Sequence, residues 1–149
     1  LTRFAGGVKD VSEFLAELGL RDPTGEVPWR ATYHDACHLV HAQKVRDAPR
    51  ELLARVPGLE LVPLPESEVC CGAAGSYNLT EPEMADALVA RKLAHIESTG
   101  ADVVITGNAG CSMQLQAALR ELDRGVRVVH PVEVLDRSYR GGAKRISRR

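Results

Sequence analysis

Asp102, Val103, Val104, Ile105 and Thr106 form a short run that is apolar at consecutive positions, with Gly100 before it and Gly107 after it. A strand of this kind is buried on both faces, unlike the alternating strands of sheets that face water on one side. Sheets buried on both faces are parallel and covered by helices, so this one run constrains the fold more than any other feature. Helical patterns flank it as required. Residues 80–98 place Ala85, Leu88, Val89, Leu93 and Ile96 on one face, and residues 109–122 do the same with Leu115, Ala118, Leu119 and Leu122.

Further strand patterns occur at residues 29–33, 59–62 and 126–129, with helical ones at 48–56 and 131–137. Strands alternating with helices across short glycine-bearing turns predict an α/β fold, a parallel sheet with flanking helices and right-handed crossovers. The 149 residues suit one such domain. Residues 8–19 carry a helical stripe of Val8, Val11, Phe14, Leu15 and Leu18 closed by Gly19, and residues 21–28 are turn-rich and read as a linker. Thr80-Glu-Pro-Glu83 matches a capping box with proline in the first helical turn. The expected organisation is therefore an N-terminal helix and linker over 1–26, a main unit over 27–140 and a basic tail over 141–149.

The net charge of −1 argues against a general nucleic-acid binder. The basic cluster near the end, Arg140, Lys144, Arg145, Arg148 and Arg149, reads as a solvated terminus, with contact to a partner or an anionic lipid surface as the alternative. No apolar run approaches the roughly 20 residues that span a bilayer, and no secretory pattern opens the chain. The expectation is a cytoplasmic protein, at most peripherally associated with a membrane. The first residue is Leu rather than Met, which suggests part of a longer protein.

The four cysteines fall where such a fold gathers its loops. Cys37 closes the first strand, Cys70 and Cys71 sit in a glycine-bearing loop after the second, and Cys111 opens the helix that follows the 102–106 strand. In a parallel sheet the carboxyl ends of the strands share one edge, so residues far apart in sequence meet there. Adjacent side chains in extended backbone point to opposite faces, so Cys70 and Cys71 converge only if the chain turns. Gly72 and Gly75 permit that turn. Cys111 lies in a first helical turn, where the macrodipole favours a thiolate. A metal site made by Cys37, Cys70, Cys71 and Cys111 is the best reading. Buried free thiols and a disulfide framework are the competing ones.

The motifs Tyr33-His-Asp-Ala-Cys-His38, Cys70-Cys-Gly-Ala-Ala-Gly75, Tyr77-Asn-Leu-Thr80 and Thr106-Gly-Asn-Ala-Gly-Cys-Ser-Met-Gln114 resemble the cysteine-rich (CCG) domain. That family includes the cysteine-rich subunit of heterodisulfide reductase and iron–sulfur subunits of flavin-dependent 2-hydroxyacid dehydrogenases. The resemblance is closest to the C-terminal such domain of glycolate oxidase iron–sulfur subunits, and it extends to His130-Pro-Val-Glu-Val-Leu135. It implies electron transfer rather than substrate oxidation, with a flavin-containing dehydrogenase subunit as partner. The fullest family pattern ends in C-x-x-C, giving five thiolates, whereas Gln114 occupies the last position here. Four thiolates suffice for a 4Fe–4S cluster and equally for Zn²⁺. A structural zinc–thiolate module and a heterodisulfide reductase-like thiol redox domain are the alternatives to electron relay.

His34, Asp35, His38 and His41 crowd around Cys37. His34 and His38 read as metal ligands, as tuners of a cluster through hydrogen bonds to sulfur, or as plain surface and core residues. Asn108 reads as a turn former, either beside the metal or simply in a left-handed turn. Met84 and Met113 call only for packing. The Gly107–Gly110 turn lacks the lysine and hydroxyl residue of a P-loop, so nucleotide binding is disfavoured.

Overall fold

A computed structural model describes residues 7–122 and 125–142. Residues 1–6 and the tail residues Lys144, Arg145, Arg148 and Arg149 lie outside the described residues. The elements run α1 (Val11–Leu18), β1 (Arg30–Tyr33), a π-helical turn (Leu39–Gln43), α2 (Asp47–Ala54), β2 (Glu60–Val62), a short α3 (Tyr77–Thr80), α4 (Pro82–Thr99), β3 (Val103–Ile105), α5 (Ala109–Glu121), β4 (Arg127–Val129) and α6 (Pro131–Tyr139). The four strands form one parallel sheet in the order β2-β1-β3-β4. This is the α/β architecture that the strand–helix alternation predicts.

Period-2 alternation divides the core in two. Ala31 and Tyr33 of β1, Val103 and Ile105 of β3 and Val129 of β4 pack on one face against Leu52 and Leu53 of α2 and Val134 and Leu135 of α6. Val104 and Val128 point to the other face, against Val89 and Ile96 of α4 and Leu115 and Leu119 of α5. That second core ends at Cys71 and Cys111, which pack as its last members. Strand order places the site there. The chain leaves β1 towards β2 on one side, and leaves β3 towards β4 on the other. The two connections diverge at the carboxyl ends of β1 and β3, which is where open α/β sheets bind ligands.

Several local expectations are corrected. Thr80 does not cap α4: it ends the short α3 turn, and its hydroxyl bonds back to the Ser76 carbonyl. Glu81 precedes α4 without a side-chain cap, Pro82 is retained at the first turn, and Gly100 closes the helix in the left-handed region. Asn108 is extended (φ −131°) rather than left-handed, and its carboxamide caps α5. Leu122 is exposed rather than inward, and Met84 and Met113 are exposed rather than packed. The stripe on α1 faces mostly outward: Val8, Val11, Phe14 and Leu18 are exposed, while Leu15 and Ala16 pack against the first core.

Residues 21–29, turn-rich in sequence, run with Pro23, Gly25, Val27 and Trp29 buried and their neighbours exposed. The Gly25 amide donates to the Ser138 carbonyl at 3.1 Å, and the Ser138 hydroxyl donates to the Gly25 carbonyl. A Cβ on Gly25 would stand 2.2 Å from the Gly142 nitrogen and 2.5 Å from the Ser138 oxygen. Both neighbours are backbone, so neither can swing aside. Gly25→Ala is therefore expected to destabilise the fold by about 1–3 kcal/mol, the usual range for overpacking. Urea denaturation checks this, and an unchanged midpoint would show that the segment is not locked against α6.

Candidate metal centre at the sheet switch point

Three chain segments deliver the site residues, and each is fixed by a different interaction. The first begins where β1 ends. The His34 amide donates to the Ile105 carbonyl at 2.9 Å, extending the β1–β3 ladder by one residue and seating the imidazole in the interior. Asp35 is buried as well, and Arg50 of α2 grips its carboxylate with two nitrogens at 2.7 and 2.6 Å. The same guanidinium lies 4.9 Å over the Tyr33 ring. Cys37 follows, half-buried, in the helical residues that lead into the π-helical turn. Turns of this type often mark functional positions, because they re-aim the side chains around them.

The second segment is the loop between β2 and α3. Glu66, at φ +50°, is its most tethered residue. Its carbonyl accepts from the buried Lys92 ammonium of α4, and its carboxylate meets Arg91 and His95. The Ser67 carbonyl accepts from the Asp35 amide at 3.1 Å, tying this loop to the first segment. Gly72, at φ +89°, then reverses the chain. A Cβ there would stand 2.6 Å from the Ala85 carbonyl oxygen, so glycine is required both for its conformation and for the space. The turn aims amides at sulfur: the Gly72 N–H donates to Cys70 Sγ at 3.3 Å, and the Ala73 N–H supports the Cys71 thiolate. Successive N–H groups in such a turn form a small anion-binding concavity.

The third segment is the start of α5. Asn108 Oδ1 accepts from the Cys111 amide at 3.0 Å, which sets Cys111 in the first helical turn as its sequence position suggests. Asn108 thus acts on the site through the backbone of the cysteine it positions.

The structure brings all four cysteines to this edge, as two thiol pairs. Cys37 lies beside Cys70 at the more open side, and Cys111 lies beside Cys71 in the interior. The hydrogen bond from Cys111, with His34 nearby and the Ala73 amide, outweighs burial and holds the Cys71 thiol down to about 4. Cys111, beside the Cys71 sulfur and deeply buried, is pushed well above the ordinary thiol range. Burial and the neighbouring Cys70 push the Cys37 thiol up.

His34 joins the inner pair. It is fully buried, and one ligand atom each from His34, Cys71 and Cys111 lie within 4.8 Å of one another. Its ring nitrogens meet no nitrogen or oxygen partner among the described residues, and the imidazole acts on the Cys71 sulfur instead. His38 and His41 are exposed, and the His38 backbone N–H supports Cys37. Residue type alone leaves these histidines unresolved. The signal that separates them is position, since His34 alone directly follows the last ladder residue of β1. Sequence reasoning misses Lys92 altogether, although it falls in register with Ala85, Val89 and Ile96 on the inner face of α4. Burial lowers its ammonium pKa against the pull of Cys71 and Glu66. Thiols, an imidazole and backbone amides aimed at sulfur form a donor set that fits a thiophilic metal or an iron–sulfur cofactor.

A family model described as a cysteine-rich domain, CCG, matches residues 31–116, from β1 into α5 and including all four cysteines. Lactate utilization protein A of Oceanobacillus iheyensis is 35% identical over 134 residues, covering 89% of this chain and 55% of that protein. Its counterpart in Geobacillus kaustophilus is 36% identical over 135 residues, covering 90% and 56%. The Bacillus licheniformis protein is 33% identical over 135 residues, covering 90% and 57%. The chain thus spans a little over half the length of these relatives.

The Asp35–Arg50 pair offers a test of how this edge is held. Burial raises the Asp35 carboxyl, but hydrogen bonds from Arg50 and Ser67 prevail and leave it below the usual carboxylate range. A carboxyl that is depressed in the fold contributes stability above its unfolded value of about 3.9. That contribution is lost as pH falls through the folded value. Arg50→Met would leave a buried charge without its partner. With Arg50 partly exposed, the expected cost at neutral pH is about 2–3 kcal/mol, the low end for breaking such pairs. Denaturant midpoints at pH 7 and pH 4 measure it: without Arg50, burial raises the Asp35 carboxyl, so at pH 4 the variant protonates it and the loss should shrink. An equal loss at both would refute the assignment.

Proposed function

The chain belongs to the cysteine-rich CCG family, and from that premise we propose that it is an iron–sulfur electron-relay unit of a 2-hydroxyacid-oxidising system. Cys37, Cys70, Cys71 and Cys111 are the thiolate ligands in this reading, and a 4Fe–4S cluster is the cofactor, since Gln114 stands where a fifth thiolate would be. The observation that carries the reading is the convergence of four reduced thiols, from three separate segments, on one sheet edge. Thiols for packing alone need no such arrangement, and none needs amides trained on its sulfur.

When bound, such a cluster supplies a one-electron redox couple whose potential follows its surroundings. The protein's own groups set those surroundings. N–H groups of His38, Gly72 and Ala73 on the sulfurs favour thiolate charge and, with it, the reduced form. The second core shields Cys71 and Cys111 from water, while Cys37 and Cys70 lie nearer the surface, where a donor or acceptor protein can approach. In this reading the chemistry on the hydroxyacid falls to a separate flavin-containing dehydrogenase subunit.

The printed names of the relatives favour lactate over glycolate as the hydroxyacid of the whole system. Among the described residues no helix is long and apolar enough to cross a membrane. A cytoplasmic unit, at most docked on a membrane surface, accords with that.

Anaerobic purification is the test. The expected product is brown, with iron and acid-labile sulfide in equal amounts and a visible absorption that bleaches on reduction. Cys71→Ser should lose the colour while retaining the helical circular dichroism of the parent. A colourless protein carrying stoichiometric zinc would sink the relay reading.

A further inference from the structure

We propose that the carboxyl edge of the sheet, around Cys37 and Cys70, is a docking face for a redox protein whose own face is apolar at its centre and basic at its rim. The partner's redox character rests on the relay reading above, whereas the face is read from exposed side chains and is tested without a cluster.

Topology assembles the apolar centre. In a parallel sheet each connecting helix starts at the edge where the preceding strand ends, so the first turns of α4 and α5 share that edge with the cysteines. Close backbone approach holds them there. A Cβ on Gly72 would stand 2.6 Å from the Ala85 carbonyl oxygen of α4, and one on Gly110 of α5 would stand 3.6 Å from the Ala73 carbonyl oxygen. Val69, next to Cys70, is 38% exposed, Leu79 of α3 is 80% exposed, Met84 of α4 53% and Met113 of α5 72%. Single exposed apolar side chains are ordinary, but four around two half-exposed cysteines make a patch of the kind that marks an interaction surface. Both methionines of the chain are among them. Methionine is unbranched and polarizable and adapts its shape, which suits brief docking better than a closely fitted permanent interface. Electron-transfer encounters use small interfaces of this sort.

Charge defines the partner. Glu81, Glu83 and Asp86 border Met84 at the start of α4, and all three are exposed. Among the described residues none of their carboxylates is engaged in a hydrogen bond or ion pair. The cations of the same edge are committed: Lys44 to the His41 carbonyl, Arg46 to Glu68 and Arg50 to Asp35. The unspent charge beside the patch is therefore negative. A partner with lysine or arginine around an apolar centre complements it and is steered towards it. A second copy of this chain would bring the same uncommitted acids to the contact, and like charges oppose that docking.

The experiment uses the full chain, reduced, kept without oxygen and labelled with carbon-13 at its methionine methyl groups, so that both signals report on this face. Cytochrome c, a basic redox protein with an exposed haem edge, is the probe. Both signals should shift at low salt, and the shifts should fade as added salt screens the rim. Glu83→Lys combined with Asp86→Lys should weaken binding about tenfold. Leu79→Ser should weaken it about fivefold, the loss of one apolar contact in the centre of an interface. Phe14→Ser, on the exposed side of α1, should leave it unchanged. Unmoved methyl signals would overturn the proposal, and so would equal shifts with an acidic redox protein such as flavodoxin. Shifts that follow the chain's own concentration would assign the face to a second copy and overturn it as well, as would full binding in both the charge-reversal and the Leu79→Ser variants. Reconstitution with iron and sulfide is measured separately. A colourless product would remove the partner's redox character together with the relay reading, whereas absent docking by a protein that does form the cluster would overturn this proposal alone.

Discussion

The register of β1 against β3 is the constraint on which the rest of this structure depends. Tyr33 stands opposite Ile105, and the His34 amide then takes the Ile105 carbonyl as the ladder's last rung. A slip of one residue would turn every side chain of β1 to the other face of the sheet. Ala31 and Tyr33 would leave the first core, and His34 would leave its place beside Cys71 and Cys111. Two hydrophobic cores, one on each face, oppose that slip together. The accuracy of a site built from short segments thus derives from apolar packing on both sides of a strand only four residues long.

Around that rung, buried charge performs the positioning that apolar contacts cannot. Asp35 and Arg50 join the end of β1 to α2, and the Ser67 carbonyl joins the same stretch to the loop before the paired cysteines. Lys92 holds that loop from below through the Glu66 carbonyl. Each ionic group has a partner, as burial demands. Lys92 also lies near Cys70 and Cys71, which carry negative charge when they ionise. The electrostatics of the edge therefore accommodate thiolates without placing a counter-charge in direct contact with sulfur.

The site's two sides are unequal. Cys71 and Cys111 complete a core and share their surroundings with His34, whereas Cys37 and Cys70 are half-exposed. For a redox unit, this division separates a sheltered region from a point of access. The exposed apolar side of α1 lies on the other face of the sheet, with the first core, and belongs to a different surface.

What the sequence determined by itself was everything governed by short-range periodicity and backbone permission. The consecutive apolar residues at 102–106 required a doubly covered parallel sheet, Gly19 and Gly100 marked helix ends, and Gly72 marked the reversal that lets adjacent cysteines serve one site. Capping was less legible, because Thr80 and Asn108 each have several local hydrogen bonds open to them and neighbouring turns decide which forms. Tertiary structure alone decided which polar residues go inside. His34, His38 and His41 are alike in type and close in sequence, yet only His34 follows the last rung of the ladder and is buried beside Cys71 and Cys111. Lys92 lies on an apolar face because its partner, the Glu66 carbonyl, arrives from a loop 26 residues away. The stripe on α1 faces outward for a related reason: Leu15 and Ala16 fill the space the core leaves, and no further face is needed. Periodicity names the faces of an element, but burial is a property of what packs against them.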